Sequence, residues 1–318
     1  MVRIEIYDEA PPDWNERLLN SPYGTEFQTK EYALYLKEAL GWKPIFTIFI
    51  NEAGKVVGQN LVSMVTASQE NNILKKFLKN RSYSYRWVNG PVVFELDYNN
   101  EISECLKDFL INLKSKVQGN EHPLLNGILE PLKDSFKLKK WGTFLIDLTK
   151  DKEIIWKSLD KHSVRKNIKR SEEKEIWVKE MNEKDLKLYI KLRQDKINEK
   201  NPPKPSVLQL HWNILNPVGL KGFLAFKDDE PVGAITFSSF NRYLIESGIA
   251  RSSLDLENRY YAQDLLKWKI IEWGIKNKCK YFDLAGVNPN PQNKKEEGIF
   301  RYKKKWGGEF TTYYKINS

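Results

Sequence analysis

Hydrophobic and polar positions change their spacing repeatedly along this chain, and each change marks an element. The first residues, Met1-Val2-Arg3-Ile4-Glu5-Ile6, alternate with the period of a strand whose two faces differ. Ser21-Pro22 and Gly24-Thr25 then mark a loop. The spacing switches to a helical period over about Lys30 to Leu40, with Tyr32, Ala33, Leu36 and Leu40 on one face. Pro44 to Ile50 and Val56 to Val65 read as two strands joined at Asn51-Glu52-Ala53-Gly54, a hairpin signal. Residues 68–82 are polar and basic and read as a loop or frayed helix. A strand around Trp87-Val88 stops at Gly90-Pro91. A helix over about Glu101 to Val117, a strand at Leu125 to Glu130, a short helix opened by Pro131 and a strand at Thr143 to Leu148 complete the first half.

The second half repeats the plan with different residues. A helical stretch runs through Trp156 and Leu159 toward Ile168, followed by a strand at Ile176 to Val178. A helix over Glu183 to Asn198 places Leu186, Tyr189, Ile190 and Ile197 on one side. Asn201-Pro202-Pro203-Lys204-Pro205 must be extended, because each proline restricts itself and the residue before it. Ser206 is then placed to cap a helix toward Leu215. Three strands follow, Gly222–Phe226, Pro231–Phe240 and Tyr243–Ile249, with polar tips at Lys227-Asp228-Asp229-Glu230 and Asn241-Arg242. The helix from about Tyr260 to Asn277 carries two apolar stripes, which predicts cover on two sides.

The pattern predicts an α+β fold in two similar halves, residues 1–148 and 149–318, with a last strand free to join the first half. Composition changes this picture little. Hydrophobic content of 41% and 13% aromatics fit packed cores in a chain of 318 residues. No window approaches the roughly 18 apolar residues of a membrane span, and the start lacks the apolar core of a signal peptide, so a cytoplasmic protein is expected. Cys105 falls in an apolar helical series, Cys279 is far from it, and three scattered histidines give no metal-ligand spacing. The surplus of 52 basic over 42 acidic residues, +10, favours phosphate-bearing partners or reflects a solvated lysine-rich surface.

Little in the chain looks like chemistry apart from its tail. Phe282-Asp283-Leu284-Ala285-Gly286-Val287 reads as a short buried strand ending in glycine. Gly298-Ile299-Phe300-Arg301-Tyr302-Lys303-Lys304-Lys305-Trp306-Gly307-Gly308 offers a glycine turn, a basic helical turn and an aromatic stop. A lysine between aromatics at the mouth of a sheet is suited to hold an acyl oxyanion or a phosphate, and a solvated basic helix is the plain alternative.

Three segments together resemble the FemABX family of peptidyl and aminoacyl transferases. They are Phe223-Leu224-Ala225-Phe226 through Ile235, Tyr260-Tyr261-Ala262-Gln263-Asp264-Leu265-Leu266-Lys267-Trp268 leading to Tyr281-Phe282-Asp283, and the tail from Gly298 to Glu309. The first half is similar more faintly, mainly at Phe27-Gln28-Thr29 before a helix. The resemblance implies two acetyltransferase-like (GNAT) domains with mixed, mostly antiparallel sheets flanked by helices. It implies transfer of an aminoacyl group from aminoacyl-tRNA to an amine, as in building cell-wall peptide bridges, with no bound cofactor. The long helical insertion of some members has no counterpart.

On this resemblance Lys303 is the catalytic candidate, with Tyr302 as the aromatic before it. Lys37 falls near a family lysine that contacts the acceptor. Arg259, Tyr260 and Tyr261 open the long helix, where backbone N–H groups can receive an anion. In acetyltransferases that turn is glycine-rich and cradles coenzyme A, whereas here it has no glycine. Asp283 is either hydrogen-bonded to backbone or part of the site. Lys161, Arg165, Lys166, Lys169 and Arg170 form a one-sided stripe that can meet tRNA phosphates or pair with Glu172 and Glu173. Family members acting on nucleotide-linked precursors carry an arginine and a tyrosine where this chain has Lys200, Asn201, Pro202-Pro203 and then Leu208-Gln209. Two other readings remain open: an acyl-CoA-dependent N-acyltransferase acting on a small or sugar amine, and a non-catalytic nucleic-acid-binding protein.

Overall fold

The structure, a computed structural model, describes residues 1–66, 83–195 and 202–317. The expected loop at 68–82, and Ile197, Asn198, Lys200 and Asn201, lie outside the described residues. The chain forms two compact units, residues 1–142 with 312–318, and residues 143–311.

In the first unit, β1 (Arg3–Tyr7), β2 (Lys43–Ile50), β3 (Val56–Thr66) and β4 (Tyr83–Arg86) lie side by side in that order, all antiparallel. The two-residue β5 (Val92–Val93) pairs with β3. β6 (Lys116–Asn120) then joins β4 in parallel. Two helices, α1 (Trp14–Leu19) and α2 (Lys30–Leu40), precede the β2–β3 hairpin, and α3 (Asn99–Asn112) crosses between β4 and β6. α2 forms where the periodicity predicts it. Its Thr29 hydroxyl caps the Tyr32 N–H at 3.1 Å, and Gly41 ends it in the left-handed conformation at φ 68°. The core gathers Phe49, Val57, Trp87, Ile102, Leu106 and Leu129. Each such side chain contributes roughly 1.5–3 kcal/mol on leaving water.

Two expectations fail here. The helix predicted to Val117 stops at Asn112, with Lys114 left-handed at φ 47°, and residues from Lys116 onward become β6. The strand predicted at Leu125 to Glu130 is a series of turns. There the buried Glu121 carboxylate accepts from the Gly127 and Leu129 N–H groups at 3.2 and 2.9 Å. A side chain thus satisfies backbone donors that a neighbouring strand would otherwise have taken.

In the second unit the end of β7 (Leu138–Asp147) starts a sheet that runs β7, β12 (Tyr281–Asp283), β11 (Tyr243–Arg251), β10 (Glu230–Phe240), β9 (Leu220–Lys227) and β8 (Ile176–Glu180). Only the β11–β12 pair is parallel. The helical stretch predicted through Ile168 breaks into α4 (Lys152–Ser158) and α5 (Val164–Glu173), because Asp160 folds back to accept from the Ser163 N–H at 2.8 Å. α6 (Leu186–Gln194) and α7 (Pro205–Leu215) follow, and Pro205 rather than a Ser206 cap opens α7. A short α8 (Ser253–Asn258) leads into the long α9 (Ala262–Lys276), which is buried on two sides as its stripes predict. α10 (Lys294–Lys304) contains Gly298 in mid-helix, not in a turn, with its start capped by Asn293 accepting from the Glu296 N–H at 3.0 Å. Last comes β13 (Glu309–Asn317), whose residues 315–317 pair antiparallel with 118–120 of β6 in the first unit. Phe144, Ile146, Phe237, Leu266, Ile270 and Phe282 centre the second core. Among the described residues no helix is long and apolar enough to cross a membrane.

Candidate functional site

The parallel strands β11 and β12 share only three paired positions, Tyr243 with Tyr281, Leu244 with Phe282 and Ile245 with Asp283. Beyond them β11 continues along β10, while the other chain turns at Ala285, which is left-handed at φ 62°. The Ala285 and Gly286 carbonyls fall at this divergence. Lys303 donates to both from α10, with Nζ at 3.0 and 3.3 Å. The side chain is half-buried.

Aromatic packing holds α10 in place. Phe300 meets Phe144 and Phe310 with ring centroids 5.3 and 5.4 Å apart, and the fully buried Trp306 closes the helix. Gly307 permits that closure, since at φ 70° its position would put a Cβ 2.5 Å from the Ser158 carbonyl oxygen. Lys303 is therefore presented from a rigid support. Burial lowers its pKa and the Lys267 charge adds to that, against the opposing pull of Glu246 and Asp283.

Asp283 is buried and fully engaged. Its carboxylate accepts from the Thr143 hydroxyl, from the Tyr243 hydroxyl at 2.8 Å and from the Ala285 N–H at 2.8 Å. Burial raises its pKa despite these donors. It fixes the turn that carries the two carbonyls and is an electrostatic neighbour of Lys303.

Beneath α10 lies a charge cluster that sequence reading missed. Glu246, the first residue of β11 past the paired stretch, meets Lys267 of α9 at 2.7 Å. The Lys267 side chain is 1% exposed, and its ammonium stands 4.7 Å from the Tyr302 ring centroid and 5.1 Å from that of Trp306. Burial alone would lower the Lys267 pKa, but Glu246 first, then Tyr302 and Asp264, outweigh it and hold the pKa above the ordinary lysine value. The Tyr302 hydroxyl donates to Asp264 at 3.3 Å, and Asp264 also accepts from Asn167 at 2.8 Å. Tyr302 as a whole is 37% exposed, yet its hydroxyl end is enclosed, which lifts its pKa to about 12. The signal for this cluster was a lone lysine between Leu266 and Trp268 in a helix covered on two sides.

The start of α9 is already occupied. The buried Asp255 accepts from the Ala262 N–H at 2.9 Å and pairs with Arg251. Arg259 is exposed at the left-handed end of α8, and Tyr260 packs against the core. The Tyr261 hydroxyl accepts from Arg170 at 3.4 Å. α5 buries Val164, Ile168 and Ser171 and leaves Lys166, Lys169 and Arg170 exposed, with Arg165 half-buried and Lys161 exposed just before it. Among the described residues none of these five forms an ion pair with Glu172 or Glu173. Lys303, Tyr302 and Asp283 thus come together, Tyr261 meets the basic helix, and Arg259 joins neither group. Lys37 is exposed on α2 of the other unit.

Two units of this design, each with a short parallel pair beside a crossover helix, make a tandem GNAT-like fold. The crystal structure of FemX has it with a TM-score of 0.72 at 13% identity, over 98% of this chain and 96% of that one. L-PGS from Bacillus licheniformis follows with a TM-score of 0.60 at 12% identity, covering 98% and 93%. A tandem GNAT protein from the clavulanic acid biosynthesis pathway gives 0.52 at 9% identity, covering 99% and 98%. At these identities the likeness establishes the fold. No protein-family model and no curated protein matches the sequence.

Proposed function

We propose that this protein is an aminoacyltransferase that moves an aminoacyl group from aminoacyl-tRNA to an amine, a cell-wall peptide precursor being one candidate acceptor. The observation that carries this reading is the Lys303 ammonium, half-buried and held over the Ala285 and Gly286 carbonyls where β11 and β12 part. In the reaction the acceptor nitrogen attacks the ester carbonyl and forms a tetrahedral oxyanion. The C–O bond to the ribose then breaks, and the ribose oxygen leaves with the proton lost by the amine. A fixed cation stabilises the charge that develops on the carbonyl oxygen, an effect worth about 10²–10³ in rate for one such group. Positioning supplies the rest, with no side chain needed as nucleophile.

The exposed basic face of α5, touching Tyr261 at the start of α9, is the surface proposed for tRNA phosphates. A charged-tRNA donor places the reaction in the cytoplasm. The coenzyme A alternative is disfavoured by Asp255, whose carboxylate already takes the Ala262 N–H at the α9 start.

The test is a transfer screen with a mixture of charged tRNAs and candidate amines, read as tRNA discharge. Discharge that depends on the amine is expected, and Lys303→Met should lower it at least about 100-fold with the circular dichroism spectrum unchanged. Undiminished turnover in that variant would remove Lys303 from the chemistry. Thermal stabilisation by coenzyme A without any tRNA discharge would replace the donor.

A further inference from the structure

The first unit holds a cavity of about 520 Å³ that the transfer reading leaves unused. It opens at the ends of β4 and β6 against the side of α2. Tyr32, Leu36, Leu40, Trp42 and Trp87 supply an apolar wall. Gly119 makes room for it, because a Cβ there would lie 2.0 Å from the Trp87 ring. The volume falls within the range of roughly 300–1,000 Å³ typical of small-molecule sites.

Its charges are one-sided. Lys139 and Lys315 stand with Nζ 4.9 and 4.3 Å from the centroid of the Trp141 ring. No aspartate or glutamate lines the cavity, and neither lysine has an acidic partner among the described residues. Burial, reinforced by the Lys139 charge, pulls Lys315 down to about 8. Elsewhere in this protein a buried lysine is neutralised, as Lys267 is by Glu246. The lining amides are committed to one another or to their neighbours. Gln118 donates to Asn317 at 3.4 Å, and Asn120 donates to Asn89 at 2.7 Å. The exposed Lys139 and half-buried Lys315, with Arg86 as a third lining cation over the Trp42 ring at 5.4 Å and no acidic residue in the lining, are complementary, next to the apolar wall, to a ligand with an anionic end and an apolar remainder.

We propose that this cavity binds an organic anion, its compact head group at Lys139 and Lys315 and its apolar body against Tyr32, Leu36, Leu40 and Trp42. The assignment stands independently of the transfer reading.

Calorimetric titration of the full chain tests it, with hexyl phosphate as head plus body, inorganic phosphate as head alone and hexanol as body alone. Hexyl phosphate should bind one-to-one and at least tenfold tighter than either fragment. Lys139→Met and Lys315→Met should each weaken it about tenfold, and Lys315→Arg should restore it. Hexanoate in place of hexyl phosphate separates a carboxylate from a phosphate source, and binding by either supports the site. Hexanol binding as tightly as hexyl phosphate, or methionine variants that fold normally and bind unchanged, would overturn it. Uridine monophosphate binding where hexyl phosphate does not would equally reject the apolar body.

Discussion

Each unit contains one short parallel strand pair, β4 with β6 and β11 with β12, and in each a helix crosses between the two strands. What fills the space near the pair differs. In the second unit the crossover helix α9 sends Lys267 into the space, Glu246 neutralises it, and Tyr302 and Trp306 cover it. In the first unit the crossover helix α3 buries only Ile102, Ser103, Leu106 and Leu110, and the ends of β4 and β6 open onto a cavity edged by uncompensated lysines. One topology therefore serves two ends. With a paired charge beneath it, the divergence becomes a rigid platform for Lys303. Without one, the corresponding region keeps an open cavity, the site proposed above for an organic anion.

The sharpest way to break this contrast is to unpair the platform. Lys267→Met leaves the Glu246 carboxylate buried without its partner and should cost about 3–5 kcal/mol in chemical denaturation, while Lys267→Met with Glu246→Leu should recover most of it. A single-variant cost below about 1 kcal/mol would mean that the cluster does not support the site. Overfilling the other unit comes next. Gly119→Ala forces the Trp87 ring aside and should destabilise by about 1–3 kcal/mol. It should also reduce hexyl phosphate binding, and undiminished binding would show that the cavity floor lies elsewhere.

The smallest effect is set by pH. His122 is fully buried, and burial pulls its pKa down to about 3. The folded state thus resists a proton that the unfolded chain accepts near 6.5, so this contribution is complete above that pH. It is lost as pH falls, by about 1.4 kcal/mol per pH unit below 6.5. Glu121, raised by burial, pulls the other way at lower pH. Hydrogen exchange, corrected for its intrinsic rate, should therefore quicken around β6 and the following turns between pH 6.5 and 5, while β11 changes less. Equal acceleration in both would erase the distinction.

How much of this was legible in the sequence follows from how far apart the interacting residues lie. The hairpins β2–β3 and β9–β10–β11, and the helices α2 and α9, could be read because alternation, turn residues and helical stripes are local signals. The tail was legible as a lysine framed by aromatics, but Gly298 misled, since it sits inside α10 with open space around it. The turns at 125–130 were not legible because they depend on Glu121 accepting their N–H groups, a contact no periodicity encodes. The Glu246–Lys267 pair was hidden for a similar reason: each residue looks like a surface charge until α9 is laid on β11.

The carboxylate at the head of α9 has a consequence for selectivity. Because Asp255, itself paired with Arg251, bonds the Ala262 amide from within, a pyrophosphate arriving there would find that donor already taken. The first amide of α9 is thus spent inside the fold, and the helix start is braced by its own chain instead of being left open.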